Sequence, residues 1–145
     1  MATRSNIGIK LANGKVEAIY CHWNGYLSYN GKMLLKYYNT EEKIKKLIAL
    51  GDISVLKEKV APPKGKKHSY NEPIENVTVA YHRDRKEEFN MLKFDSEEKY
   101  FGPDNNSDSE YRYLFKDGKW FVSDHGKKLK KITLAMCEEK KKSKV

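Results

Sequence analysis

Two turn dipeptides, Asn13-Gly14 and Asp117-Gly118, each stand between runs of alternating apolar residues, and no other feature of the sequence restricts the fold as much. Asn-Gly and Asp-Gly tolerate the positive φ that a type I′ turn needs at both central positions, and that turn matches the twist of two antiparallel strands. Before the first dipeptide, Ile7, Ile9 and Leu11 alternate with smaller or polar residues. After it, Val16, Ala18 and Tyr20 share one face, with Ile19 on the other. Around the second, Tyr111, Tyr113 and Phe115 alternate with Arg112 and Leu114, and Trp120 and Val122 lie on the partner strand. Two β-hairpins are therefore expected.

The segment between them changes period. In "NGKMLLKYYN", Met33, Leu34, Tyr37 and Tyr38 fall at helical spacing. "NTEEKIKKLIALGD" is a clearer helix. Thr40 suits its N-cap, Glu41 and Glu42 its positive end, and Gly51 its left-handed C-terminal position, while Ile44, Leu47 and Ile48 form the apolar stripe. "DISVL" reads as a brief further element. Residues 58–75 hold three of the four prolines and read as a surface loop or flap rather than a domain boundary. "NVTVAYHRDR" is expected to resume as a strand, with Val77, Val79 and Tyr81 on one side and Thr78, Ala80 and His82 on the other. "EEFNMLKF" is expected to be strand and "GPDNNSDSE" a polar loop. This order predicts an α+β fold: an antiparallel β-sheet built from hairpins, with two short helices packed on one side. At 145 residues one domain is expected, over residues 1–126, followed by a lysine-rich C-terminal tail over 127–145.

The formal charge is +9, and its distribution is uneven. The stretch from Lys127 to Val145 holds eight lysines and two glutamates, which leaves the body only weakly basic. Such a tail reads either as a solvated terminus or as an unspecific nucleic-acid contact. Lysines outnumber arginines 25 to four, so Arg4, Arg83, Arg85 and Arg112 stand out. A guanidinium offers phosphate a planar fork and stacks on rings, which an ammonium cannot do. The two cysteines, Cys21 and Cys137, are too few for a disulfide framework. No apolar run approaches a membrane span, and no signal-peptide core precedes the first hairpin. A cytoplasmic protein with reduced thiols and no membrane association is expected.

Catalytic signatures are sparse. The four histidines, at 22, 68, 82 and 125, show no metal-ligand spacing, and there is no C-x-x-C, so no metal or cofactor is expected. Phosphate-binding glycine loops of the nucleotide-hydrolase and dinucleotide kinds are absent. Cys21 and His22 are adjacent, and on a continuing strand they point to opposite faces, which argues against a nucleophilic dyad. Phosphodiester hydrolysis is the better-posed chemistry, with His22 and His82 as base and acid and Asp84 orienting one of them.

Two stretches suit binding instead. "YCHWNGY" crowds rings and hydrogen-bonding groups before a glycine turn: Trp23 and Tyr26 can stack a purine, and Asn24 and His22 can bond a base or ribose. The alternative for the same residues is a packed corner of the core. "YHRDR" holds half of the arginines. As a strand it would set Arg83 and Arg85 on one face with Tyr81, a phosphate clamp beside a stacking ring. The alternative is a strand end whose arginines pair with Asp84 and nearby glutamates. Arg4 completes the phosphate-binding set.

The blocks "MATRS", "YCHWNGY", "LIALGDIS", "VAYHRDR" and "YLFKDGKWFVSD" resemble a family of small proteins common in phages and prophages, from Met1 to about Asp124. Members typically read Y-C-H-W-D-G-Y where this chain has Asn24. The resemblance implies a phage setting, and with the ring-and-arginine chemistry it suggests similarity to the "sponge" proteins. These bind nucleotide second messengers of bacterial defence (Thoeris and CBASS-type cyclic-oligonucleotide pathways) without turnover, usually as homo-oligomers. The functional expectation is thus sequestration of a nucleotide-type small molecule, of cyclic-oligonucleotide or cyclic ADP-ribose kind. A phosphodiesterase and a nucleic-acid-binding accessory protein remain the alternatives. Asn24 in place of a carboxylate removes a general base and suits an anionic ligand better.

Overall fold

The computed structural model describes residues 3–125 and 128–137. Strands β1 (Ser5–Lys10) and β2 (Val16–Cys21) form the first hairpin; a π-helical turn (Leu27–Gly31), α1 (Lys32–Tyr37) and α2 (Glu41–Ile48) follow. Then come β3 (Ile53–Val55), β4 (Val79–Ala80), α3 (Tyr81–Arg85), β5 (Leu92–Phe94) and α4 (Glu97–Phe101). The second hairpin, β6 (Tyr111–Lys116) and β7 (Lys119–Asp124), precedes β8 (Lys130–Lys131). The strands make one sheet in the order β4-β3-β2-β1-β6-β7-β8, and β5 pairs with the start of β2. Most pairs are antiparallel, as expected of an α+β fold. The exceptions are β1 with β6 and β2 with β3, which are parallel. The two hairpins therefore stand side by side through their first strands.

The turn residues explain one hairpin as expected and the other differently. Asp117 and Gly118 have φ of 53° and 73° between the paired Lys116 and Lys119, a type I′ turn. In the first hairpin only Gly14 takes positive φ (87°), while the Asn13 carboxamide accepts the Lys15 N–H at 3.0 Å. The Gly14 N–H bonds the Leu11 carbonyl and the Leu11 N–H that of Lys15, so the loop is a longer, bulged one and not the expected type I′ turn. Helix α2 is capped as the sequence indicates: the Thr40 hydroxyl accepts the Lys43 N–H at 3.3 Å, and Gly51 has φ of 77°.

Alternation along the strands separates two cores. On one face, Ile7, Ile9, Ile19, Tyr113 and Trp120 are buried against Leu34 and Tyr38 of α1 and Ile44, Leu47 and Ile48 of α2. Each such side chain stabilises the fold by roughly 1.5–3 kcal/mol relative to exposure. Buried polar tips find partners: Trp120 Nε1 donates to the Tyr38 carbonyl (2.8 Å) and the Tyr38 hydroxyl to that of Lys57 (2.6 Å). Burial pushes the Tyr38 phenol up to about 12. On the opposite face, Val16, Ala18 and Leu114 pack under Tyr100 of α4. The helices thus cover both faces, α1 and α2 one and the shorter α4 the other.

Three segments differ from the expected elements. Residues 81–85 are helical, not a strand continuation, and β4 is only two residues long. Of "EEFNMLKF", only Leu92–Phe94 pairs. Within the expected tail, β8 pairs with β7 and Ile132 and Cys137 are buried, and residues 126, 127 and 138–145 lie outside the described residues.

Candidate functional site

The ring-rich corner divides into an inward and an outward half. Strand β2 ends at Cys21, and the chain continues along β3: the His22 N–H bonds the Ile53 carbonyl (3.2 Å) and the Trp23 N–H that of Ser54 (3.0 Å). Asn24 then takes φ of 60° and reverses the backbone. Gly25 is pressed onto the N-terminal strand, where a Cβ would lie 2.8 Å from both the Thr3 carbonyl oxygen and the Ser5 Cβ. Tyr26 turns inward against the main core, and its hydroxyl donates to the Asn24 side chain (3.2 Å). Asn24 and Tyr26 therefore build the turn, and they do not form a stack with Trp23. Cys21 is buried, and burial raises its thiol to about 11, which suppresses the nucleophilic thiolate. Asn30, fully buried, ties the corner together through Ser5 Oγ and Cys21 Sγ, a role its sequence context does not signal.

The outward half is polar and aromatic. Trp23 is 42% exposed and meets the His22 ring edge-on at 4.8 Å. His22 Nδ1 lies 2.8 Å from the Tyr20 hydroxyl, and the Arg4 charge acts to lower that phenol's pKa against the effect of burial. Arg4 also reaches Asp108 at 3.4 Å, an exposed pair. Across β3, Ile53 pairs with Ala80, which sets Tyr81 at the end of β4. Burial raises both phenols, so each keeps its proton and its donor capacity at neutral pH.

Because residues 81–85 form a helical turn, the two expected phosphate-binding arginines diverge. Arg83 folds inward onto Asp84, with Nε–Oδ1 at 2.8 Å and Nη2–Oδ2 at 2.9 Å. Arg85 stays half exposed, pairs with Glu87 at 3.3 Å and lies 4.5 Å over the Tyr70 ring. Tyr81 and Arg85 are four apart, hence on one face of the turn. Tyr70 covers that face, 6.1 Å from Tyr81 with the rings 28° apart. Asp84 causes this geometry, because its Oδ2 accepts the Ala80 N–H at 2.8 Å and closes the turn. Arg83 is thus withdrawn from the surface, and the same-face clamp of Arg83 with Arg85 is corrected to Arg85 alone.

Of the residues singled out in the sequence, His22 and Trp23 meet beside Tyr20 at the end of β2, Tyr81 and Arg85 meet beside Tyr70 after β4, and Arg4 pairs with Asp108; β3 lies between the first two groups, since Ile53 pairs with both Cys21 and Ala80. Asn24, Tyr26 and Arg83 have structural duties beside them. Tyr20 and Tyr70, both half-buried, join these two groups and were missed. Tyr20 was legible as the residue that follows Val16 and Ala18 on the sheet face opposite Ile19, whereas Tyr70 sits in a proline-flanked loop with no period to read.

The hydrolytic arrangement does not form as expected. Asp84 is committed to Arg83, Ala80 and His68, and His82 Nδ1 instead lies 2.8 Å from the Glu87 carbonyl. His82 and Tyr81 line a cleft of about 350 Å³ with Asp52, Glu87, Glu88, Phe89 and Asn90, whose carboxylates oppose a phosphate. A larger cleft of about 700 Å³, between Lys10, Ser96, Glu97, Phe101 and Ser123, contains none of the residues singled out. Among the described residues no group of three histidine, cysteine or carboxylate side chains is placed to hold a metal ion, and no helix is long and apolar enough to cross a membrane. No protein-family model, curated protein or solved structure significantly matches the chain.

Proposed function

We propose that the protein sequesters a phosphorylated, planar small molecule of nucleotide type, without turning it over, on the surface formed by Arg4, Tyr20, His22, Trp23, Tyr70, Tyr81 and Arg85. The observation that carries this reading is a ring cluster at each of two neighbouring strand ends: exposed Trp23 with His22 and Tyr20, and half-buried Tyr81 with Tyr70, the latter under the Arg85 guanidinium. Rings hold a base through its π face, and each arginine–phosphate bond contributes about 1.5–3 kcal/mol. The absence of a formed His82–Asp84 pair favours binding over hydrolysis.

The biological setting rests on the resemblance to phage and prophage proteins. In this reading the protein acts in the host cytoplasm as a homo-oligomer and traps a cyclic-oligonucleotide or cyclic ADP-ribose-type messenger of a defence pathway. The test is mass spectrometry of the small molecules that co-purify from cells with an active nucleotide-signalling defence. An intact phosphorylated nucleotide is expected with the wild type, and at least tenfold less with Trp23→Ala/Arg85→Ala. Equal recovery from the variant, or a cleaved product, contradicts the reading.

A further inference from the structure

The loop over residues 58–77 is stitched shut at its base. Lys59 N–H bonds the Asn76 carbonyl (2.9 Å), and Thr78 N–H bonds the Lys59 carbonyl (2.9 Å). Between these ends the chain makes an excursion that includes exposed Lys64, Lys66 and Lys67. The far side of the excursion is fixed to α3 at two neighbouring positions. Tyr70 N–H bonds the Asp84 carbonyl at 2.9 Å, and the His68 ring enters a buried hub.

That hub has Asp84 at its centre. The His68 side chain is 1% exposed, although most of the loop lies on the surface, and the Asp84 side chain of α3 is 2% exposed. His68 Nε2 lies 3.2 Å from both Asp84 Oδ2 and the Thr78 carbonyl, while its Nδ1 accepts the Ile74 N–H at 2.9 Å. Accepting that N–H requires a lone pair on Nδ1, so the ring is the neutral tautomer with its proton on Nε2. Arg83 extends the hub to the loop's first limb, with Nη1 on the Val60 carbonyl (2.5 Å) and Nη2 on that of Thr78 (2.7 Å). Both ring nitrogens of His68 and the whole fork of Arg83 are thus consumed in holding chain to chain.

We propose that His68, Asp84 and Arg83 act as a latch that positions the 58–77 loop and thereby delivers Tyr70 to the ligand surface as a wall beside Tyr81 and Arg85. His68 and Arg83 are positioning residues in this scheme: they touch no ligand and act through Tyr70. The ligand-binding part of the inference rests on the reading under Proposed function, whereas the latch itself does not.

Two measurements separate them. In the ligand-free protein, His68→Ala is expected to speed tryptic cleavage after Lys66 and Lys67 at least tenfold. It should also remove the ring-current shifts that Tyr70 and Tyr81 impose on each other, and the acceleration should exceed what the accompanying fall in urea midpoint accounts for. A wild-type cleavage rate, or acceleration only in proportion to a lowered midpoint, overturns the latch. With ADP-ribose as the probe, His68→Ala and Tyr70→Ala are each expected to weaken binding at least tenfold. Undiminished affinity in Tyr70→Ala, with binding lost in Trp23→Ala, removes Tyr70 from the surface. Absence of ADP-ribose binding to the wild type counts against the nucleotide reading and leaves the proteolysis to decide the latch.

Discussion

Gly25 lies so close to the first strand that its missing side chain is a structural requirement. A Cβ there meets backbone at Thr3, which cannot swing aside as a flexible side chain can. Gly25→Ala is expected to destabilise the protein by about 1–3 kcal/mol, read as a lowered urea midpoint. Asp84 shows the same economy with charge. Burial acts to raise its pKa, but the bonds from Arg83 and Ala80, with the Arg83 charge, outweigh it and leave the carboxyl below its ordinary 3.8. A folded pKa below the unfolded one stabilises fully above the unfolded value, and that contribution is lost as pH falls through the folded value. Asp84→Asn is therefore expected to lower stability near pH 7 by about 2–3 kcal/mol. It should also flatten the acid limb of a stability–pH profile below pH 4, because the variant has no carboxylate to protonate there. An acid limb as steep as the wild type's would show that other carboxylates dominate it. These roles were partly legible. The glycine was visible as a turn, but its contact with Thr3 lies beyond the end of the antiparallel β1–β2 ladder, where Asn24 turns the chain, and no local pattern encodes it. The Arg83–Asp84 pair was weighed as an alternative, yet its partner His68 lies 16 positions away, in a loop without periodicity.

At the scale of elements, the sequence was most informative where one face of a regular element is buried. The alternation of Ile7, Ile9, Ile19, Tyr113, Trp120 and Val122 places all six in the main core, and the α2 stripe of Ile44, Leu47 and Ile48 faces them. The Thr40 cap also follows local rules, so Thr40→Ala is expected to cost about 1 kcal/mol in a urea titration. Residues 77–85 escaped because alternation there is real only as far as Ala80. Beyond it, a single bond from Asp84 back to the Ala80 N–H favours a helical turn over a longer edge strand. That turn separates Arg83 from Arg85 and exchanges a two-arginine clamp for one exposed arginine and one folded onto Asp84. The first hairpin turn departs for a similar reason, since the Asn13 side chain serves Lys15 and keeps its own backbone out of the left-handed region.

At the scale of the molecule, the parallel pairing of β1 with β6 and of β2 with β3 joins segments distant in sequence. The β2–β3 pairing, with the antiparallel β3–β4 pair beside it, brings Cys21 and Ala80 to either side of Ile53, and with them the Tyr20–Trp23 segment and Tyr81. Composition alone suggested a second partner through the lysine-rich terminus. If nucleic acid binds there, affinity falls steeply with salt and drops on removing residues 138–145, which hold four of the tail's eight lysines. A nucleotide held by the ring surface survives that truncation, which keeps the core contacts of Ile132 and Cys137. The most direct test of the ring surface uses Trp23 as its own reporter, because the other tryptophan, Trp120, is buried in the main core. Titration with ADP-ribose is expected to quench Trp23 emission saturably, to lose that response in Trp23→Phe, to weaken at least tenfold in Arg85→Ala, and to return intact ligand on denaturation. Saturable binding that leaves Trp23 emission unchanged and is indifferent to Arg85→Ala would contradict the account.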